Sequence, residues 1–165
     1  MTEQGASYAT FIEAELRAER DRRTTLDAKG LGIVTTTAAL TTVLTAVGAF
    51  VSTRSGFRLP HGIFWPLAGT LVAFVVAAVL GILAAGLHPY AVATPKTLEQ
   101  MLRGHWQDHE VDARNNVSRM NMETIASLRR GNNRKGKFVS VATWFQIGGL
   151  VSLAVVVFLI LWSIR

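Results

Sequence analysis

The chain contains no cysteine, and three long stretches of it contain no charged residue and no histidine. The absence of cysteine excludes disulfides, thiolate metal sites, a thiol nucleophile and palmitoylation. Coupled transporters and proton relays usually need ionisable groups within their apolar segments, so the absence of such groups argues against both classes. The sequence also lacks a phosphate-binding glycine loop and a catalytic triad pattern. We therefore predict that the protein is not an enzyme and uses no cofactor.

The three uncharged stretches cover residues 31–52, 63–87 and 138–164, and half of the whole chain is hydrophobic. A helix needs roughly 20 apolar residues to cross the hydrocarbon core, and only a helix satisfies its own backbone there. The predicted fold class is all-α and integral to the membrane, with three transmembrane helices and a cytosolic helical layer. The threonine-rich first stretch also fits a buried helix of a soluble protein.

Lysine and arginine are unevenly distributed outside these stretches. Fourteen of the 17 lie in residues 1–30 and 88–137, and the other three lie in residues 53–62 and at position 165. Cytosolic loops of membrane proteins carry the excess of basic residues. The sequence therefore predicts a multi-pass protein with a cytosolic N-terminus, a short outer loop at 53–62 and the C-terminus outside.

The two basic segments have helical patterns. Residues 1–30 predict an N-terminal cytosolic helix, and Gly30 and Gly32 are candidates for a hinge or for a helix cap before the first span. In residues 88–137, Thr94 followed by Pro95 is typical of a helix start, and that helix is expected to end near Gly104. A further helix is expected from about residue 110 to 130, followed by a break or a bend at residues 131–133 before the third span.

Small and hydroxylated residues recur at helical spacing in the first two spans. Such residues let helices approach closely, and their hydroxyls can bond across the contact. One interpretation is packing among the three spans, and the other is that the first-span face lines a pore or a subunit interface. The pore or interface candidates are Thr35, Thr42, Thr45, Ser52 and, in the third span, Gln146, which is expected to bond to a first-span threonine. The helix-packing candidates are Gly69, Ala73, Ala77 and Gly81.

A basic cluster lies immediately before the third span. The first interpretation is that the cluster fixes the membrane topology and contacts anionic lipid. The alternative is that it binds an anionic ligand such as a nucleotide second messenger. Duplex nucleic acid is not predicted, because no recognition fold accompanies the charge. His105 and His109 are one helical turn apart, but a polar turn explains them better than a metal site, so no metal is predicted. The members of the basic cluster are Arg129, Arg130, Arg134, Lys135 and Lys137.

Two short segments resemble a known family. In residues 19–29, Asp27 and Lys29 precede the threonine- and alanine-rich span, and before the third span stand Asn132, Asn133 and Lys135. These features resemble the Pycsar transmembrane effectors and the related SLATT family of small bacterial defence proteins. Those families often have a two-span core, so the third span is a departure from their pattern.

The resemblance implies a membrane effector of the bacterial inner membrane. It would be triggered from the cytosol, with a cyclic nucleotide as one candidate trigger, and would oligomerise and breach the bilayer during phage infection. The alternative is a non-enzymatic membrane scaffold that docks a cytosolic partner protein, in plasmid transfer or phage exclusion. Homo-oligomers and the lipid bilayer are the expected partners in the first case.

Overall fold

The computed structural model describes residues 3–52, 61–86, 88–105 and 107–164, and these residues form helices and connecting segments without any strand. Three of the helices, α1, α2 and α4, are long and apolar enough to cross a membrane. The prediction of an all-α chain with three helices of spanning length is therefore confirmed. The helices are α1 (Glu3–Ser52), a 3₁₀ turn (His61–Ile63), α2 (Phe64–Ala85), α3 (Pro95–Gly104) and α4 (Glu110–Ile164). Most of the predicted outer loop, residues 53–60, lies outside the described residues.

Two helices continue where the sequence predicted a change. α1 is a single helix of 50 residues that runs through Gly30 and Gly32, the candidates for a hinge or a cap. α4 is a single helix of 55 residues, so the break expected at residues 131–133 is wrong. Asparagine disrupts helices mainly by bonding to its own backbone. Here the Asn132 side chain is buried and bonds to α1 instead, so α4 continues.

The start and end of α3 are confirmed. The Thr94 hydroxyl accepts a hydrogen bond from the Thr97 backbone N–H at 3.2 Å, and Pro95 occupies the first turn. This cap satisfies one of the backbone donors that a helix start leaves free. α3 ends at Gly104, as expected, and none of its residues is buried.

The chain divides into two compact units. Unit 1 comprises Met1–Thr25 and Leu87–Arg134, and unit 2 comprises Leu26–Gly86 and Lys135–Arg165. The apolar core of unit 1 is small, with Leu16 of α1 packed with Ile125 and Leu128 of α4. Because so few residues are buried there, polar contacts carry much of the specificity of helix pairing in unit 1.

Within unit 1, the segment that precedes α3 is held by three contacts. The Arg23 guanidinium donates to the His88 carbonyl at 3.3 Å and lies 4.6 Å from the centre of the Tyr90 ring. The Ala91 N–H donates to the Ser127 hydroxyl at 2.9 Å. These contacts fix where the polypeptide enters α3.

Unit 2 is a bundle of α1, α2 and α4. Ile33 clusters with Ala77 and Ala142, and further along Leu44 clusters with Phe74 and Leu153. The outward faces of α2 and α4 are apolar, with exposed side chains that include Val72, Val75, Val79, Ile82, Val151, Phe158 and Leu161. An outer surface of this kind is what lipid, rather than water, favours.

Candidate functional site

A buried carboxylate joins α1 to α4 in unit 1. Glu19 accepts a hydrogen bond from Arg129 Nε at 2.9 Å and another from Asn132 Nδ2 at 2.9 Å. The same Asn132 amide also donates to the Glu19 backbone carbonyl at 2.9 Å. Arg129 additionally pairs with Glu15, and Arg22 lies 3.7 Å from the Glu19 carboxylate. We call these five residues the Glu19 cluster.

The Glu19 cluster favours the ionised carboxylate. Burial by itself would raise the pKa of Glu19, but the hydrogen bonds from Asn132 and Arg129 and the charges of Arg22 and Arg129 outweigh it. The pKa of Glu19 is therefore held below its ordinary value of 4.5. Since the ionised form is the one bonded in the folded chain, the cluster is a device for holding α1 against α4 at neutral pH.

We expect acid to weaken this contact. A carboxyl whose pKa is lower in the folded state contributes stability that is fully present above its unfolded pKa and is lost as the pH falls through the folded one. Melting of the whole 165-residue chain in detergent, followed by circular dichroism between about pH 3 and 7, should show this loss below pH 4.5.

Glu19→Gln removes the charge and should cost about 2 kcal/mol at neutral pH. The same substitution should also flatten the dependence of stability on pH. Glu13→Gln is the matched control, because Glu13 is an exposed carboxylate on the same helix. Identical pH profiles for the two variants would contradict the role assigned to Glu19.

A second ion pair lies in unit 2. The Lys135 ammonium group bonds to the Asp27 carboxylate, and only 1% of the Lys135 side chain is exposed, against 34% for Asp27. A buried ammonium group is tolerated only while it is paired and hydrogen-bonded. Asp27 therefore fixes the position of Lys135.

The structure separates the predicted basic cluster into two groups. Arg129 and Lys135 are committed to carboxylates of the chain itself. Arg130, Arg134 and Lys137 are exposed. The latter three are available to an anionic lipid or ligand, whereas the former two are structural.

The residues that carried the family resemblance meet across helices. Asn132 bonds to Glu19, Arg22 donates to Asn133 Oδ1 at 3.0 Å, and Lys135 pairs with Asp27. The sequence alone did not indicate these pairings, because the partners are more than 100 positions apart in the chain. A signal was present, since Ile125, Leu128 and Asn132 recur at the spacing of one helix face, which places Asn132 on the packed side of α4.

The four small α2 residues occupy different environments. Ala77 and Gly81 are buried, and Ala73 is half-buried. A Cβ built on Gly81 would lie 2.9 Å from the Gly30 carbonyl oxygen, so α1 and α2 touch backbone to backbone. Gly69 is exposed, and a Cβ there would meet nothing within 4 Å. The close contact between α1 and α2 therefore involves Gly81 and not Gly69.

The first-span threonine face points away from the core of unit 2. Thr35, Thr42 and Thr45 are exposed, and each hydroxyl donates to the carbonyl four residues earlier at 2.9–3.1 Å. The packed face of the same helix carries Ile33 and Leu44 instead. The Ser52 side chain lies outside the described residues. The hydroxyl face is thus left for lipid, water or another protein surface.

Gln146 is half-buried on α4. The expected bond to a first-span threonine is not present among the described residues. The buried candidate, Thr37, has a hydroxyl without any partner there, and the exposed threonines bond to their own helix.

A groove of about 460 Å³ lies between α3 and the first part of α4. Its lining includes Met101, Val117 and Met120, and at one end His105 Nδ1 lies 3.0 Å from Asp108 Oδ2. Within the described ranges, no group of three potential metal ligands comes together. The His105 and Asp108 pair closes the turn after α3.

Comparison of the chain with protein families, curated proteins and solved structures gives no match in any of the three.

Proposed function

We propose that the protein is a non-enzymatic, oligomeric effector of the bacterial inner membrane. In this proposal it forms a pore or disrupts the bilayer in antiphage defence, on a signal received in the cytosol. The spans would be oriented with the N-terminus in the cytosol and the C-terminus outside, as the distribution of lysine and arginine favours.

The observation that carries the proposal is the exposed hydroxyl face of α1. Outward positions of α2 hold large apolar side chains such as Val72 and Val79, which suit lipid. Outward positions of α1 hold Thr35, Thr42 and Thr45 instead. Small hydroxylated faces allow a second helix to approach closely, or allow contact with water. A spanning helix with such a face supports assembly of several copies around it.

The cytosolic trigger is assigned to unit 1. The Glu19 cluster is a polar contact that a ligand or a pH change can weaken without unfolding an apolar core. Arg130 and Arg134 are exposed cations that suit an anionic group, such as a lipid headgroup or a nucleotide phosphate. A cyclic nucleotide is therefore one candidate trigger, and membrane leakage should be measured with and without added cyclic nucleotide.

We expect the variant Thr42→Leu/Thr45→Leu to lose membrane leakage. Bulky apolar side chains would suit lipid but would block close approach of another copy and remove the hydroxyls. The measurement is dye release from liposomes that contain the purified chain, together with membrane potential in expressing cells. We expect a loss of about threefold to thirtyfold, since polar contacts between spanning helices contribute about 0.6–2 kcal/mol.

The matched control is Val72→Leu/Val79→Leu, which changes outward residues of α2 that are already apolar. This variant should leak like the native chain. Normal membrane potential at high expression of the native chain, with and without candidate nucleotides, would contradict the proposal.

The second candidate is a membrane scaffold that docks a cytosolic protein. It is favoured by α3, whose Leu98 and Leu102 are 55% and 61% exposed and lie one turn apart. Exposed apolar pairs on an amphipathic helix often bind a partner. Recovery of one stoichiometric partner that is lost in Leu98→Ser/Leu102→Ser, without any leakage by the native chain, would select this function.

A further inference from the structure

One threonine of the first span differs from its neighbours. Thr36, Thr41, Thr42 and Thr45 each donate their hydroxyl to a carbonyl one turn back in α1. Thr37 is the most buried of the set, at 3% exposed, and its Oγ1 has no hydrogen-bond partner among the described residues. Leaving a buried hydroxyl unsatisfied costs about 1–3 kcal/mol, so such groups nearly always have a partner.

The packing of α1 on α4 shows which group lies level with Thr37. Ile33 clusters with Ala142, and Leu44 clusters with Leu153. Thr37 is four residues after Ile33 and seven before Leu44. Gln146 stands at the same two distances from Ala142 and Leu153. The two side chains therefore occupy matching positions of the α1–α4 contact.

Gln146 is the only amide side chain in the three uncharged stretches. Its carbonyl accepts hydrogen bonds and its NH₂ donates them, so it can complete the bonding of a small polar molecule from either side. The neighbouring positions of this contact are apolar, including Ile33, Ala77 and Ala142. A polar pair in such surroundings is stable when both members are satisfied.

We propose that Thr37 and Gln146 bind a water molecule between α1 and α4. The water accepts or donates at Thr37 Oγ1 and bonds to the Gln146 amide, which gives it the two or more polar partners that buried waters have. A bridging water is nearly as favourable as a direct hydrogen bond. The site sets the register of α1 against α4, because sliding either helix would separate the pair. This inference does not depend on the proposed effector function.

The direct test is magnetisation transfer from water to the Gln146 side-chain amide, measured by solid-state NMR on the full chain in lipid bilayers. We expect transfer to Gln146 in the native protein and its loss in Thr37→Val, which keeps the shape but removes the hydroxyl. Absence of transfer in the native protein would overturn the proposal.

A thermodynamic test uses the same substitution in two backgrounds. Thr37→Val should lower the melting temperature by about 2–4 °C in the native chain and should have no such effect in a Gln146→Leu chain. Thr70→Val is the control, since Thr70 is also buried but bonds to the Pro66 carbonyl at 2.9 Å. Its effect should be equal in both backgrounds.

Other outcomes would contradict the proposal that a water is bound between Thr37 and Gln146. Coupling between Thr37 and Gln146 without any transfer from water would mean that the side chains bond directly. Equal effects of Thr37→Val in both backgrounds, or a higher melting temperature in the native one, would mean that the hydroxyl has no polar partner at all.

Discussion

Replacing Asp27 by alanine is expected to lower the free energy of unfolding by about 3–5 kcal/mol, the cost typical of leaving a buried charge unpaired. Only 1% of the Lys135 side chain is exposed, so its ammonium group has little water to turn to once the carboxylate is gone. The measurement is unfolding of the full chain in detergent by added SDS, followed by tryptophan fluorescence.

The two partners should respond unequally. Lys135→Met leaves Asp27, whose side chain is 34% exposed and can keep its charge in contact with water. That variant should therefore lose less stability than Asp27→Ala. Replacing both residues, as Asp27→Ala/Lys135→Met, should return the protein to within about 1–2 kcal/mol of the native value, because the buried ammonium group is then removed together with its carboxylate.

Asp21→Ala is the control for this series. Asp21 is an exposed aspartate on the same helix, so its replacement should change stability by less than about 0.5 kcal/mol. If Asp27→Ala and Asp21→Ala lost the same free energy of unfolding in the SDS titration, the Asp27 carboxylate would not be what holds Lys135.

The second large effect is expected at the contact between α1 and α2. A Cβ on Gly81 would lie 2.9 Å from the Gly30 carbonyl oxygen and 3.0 Å from Val34 Cγ2. The carbonyl oxygen is a backbone atom, which cannot move aside without shifting a helix. Gly81→Ala should therefore cost about 1–3 kcal/mol through overpacking, and Gly81→Leu should cost more and separate the helices.

Gly69→Ala is a matched comparison on the same helix. A Cβ at Gly69 meets nothing within 4 Å, so this change should be neutral or should stabilise α2 by up to about 1 kcal/mol through its helix propensity. The same SDS titration measures both variants. Equal losses at Gly69 and Gly81 would show that the backbone contact does not exist.

The contrast between Gly69 and Gly81 shows what sequence spacing can and cannot predict. Both belong to the set of small residues that recur every four positions in α2, and this spacing alone gives them the same predicted role. Which of them touches α1 depends on where the helices cross, and crossing is set by the whole contact surface. The presence of three helices long and apolar enough to span a membrane was predictable because the length of an uncharged run is a local property.

The polar contacts were predictable only in part. The cations before the third span are visible in the sequence, but whether a cation is neutralised depends on which carboxylate the other helix brings to it. Arg129 and Lys135 meet Glu19 and Asp27, more than 100 positions away in the chain. The prediction of a break at residues 131–133 was wrong for the same reason. Asn132 bonds to Glu19, a partner that is distant in the sequence.

The exposed threonines of α1 have a further consequence. Since Thr35, Thr42 and Thr45 already donate to carbonyls of their own helix, no neighbour has to supply an acceptor for them. If acyl chains along this side were replaced by a neighbouring subunit or by solvent, none of these bonds would break. A surface of that kind can change its surroundings with a low barrier, which is what the proposed effector would need in order to stay inactive until it is triggered.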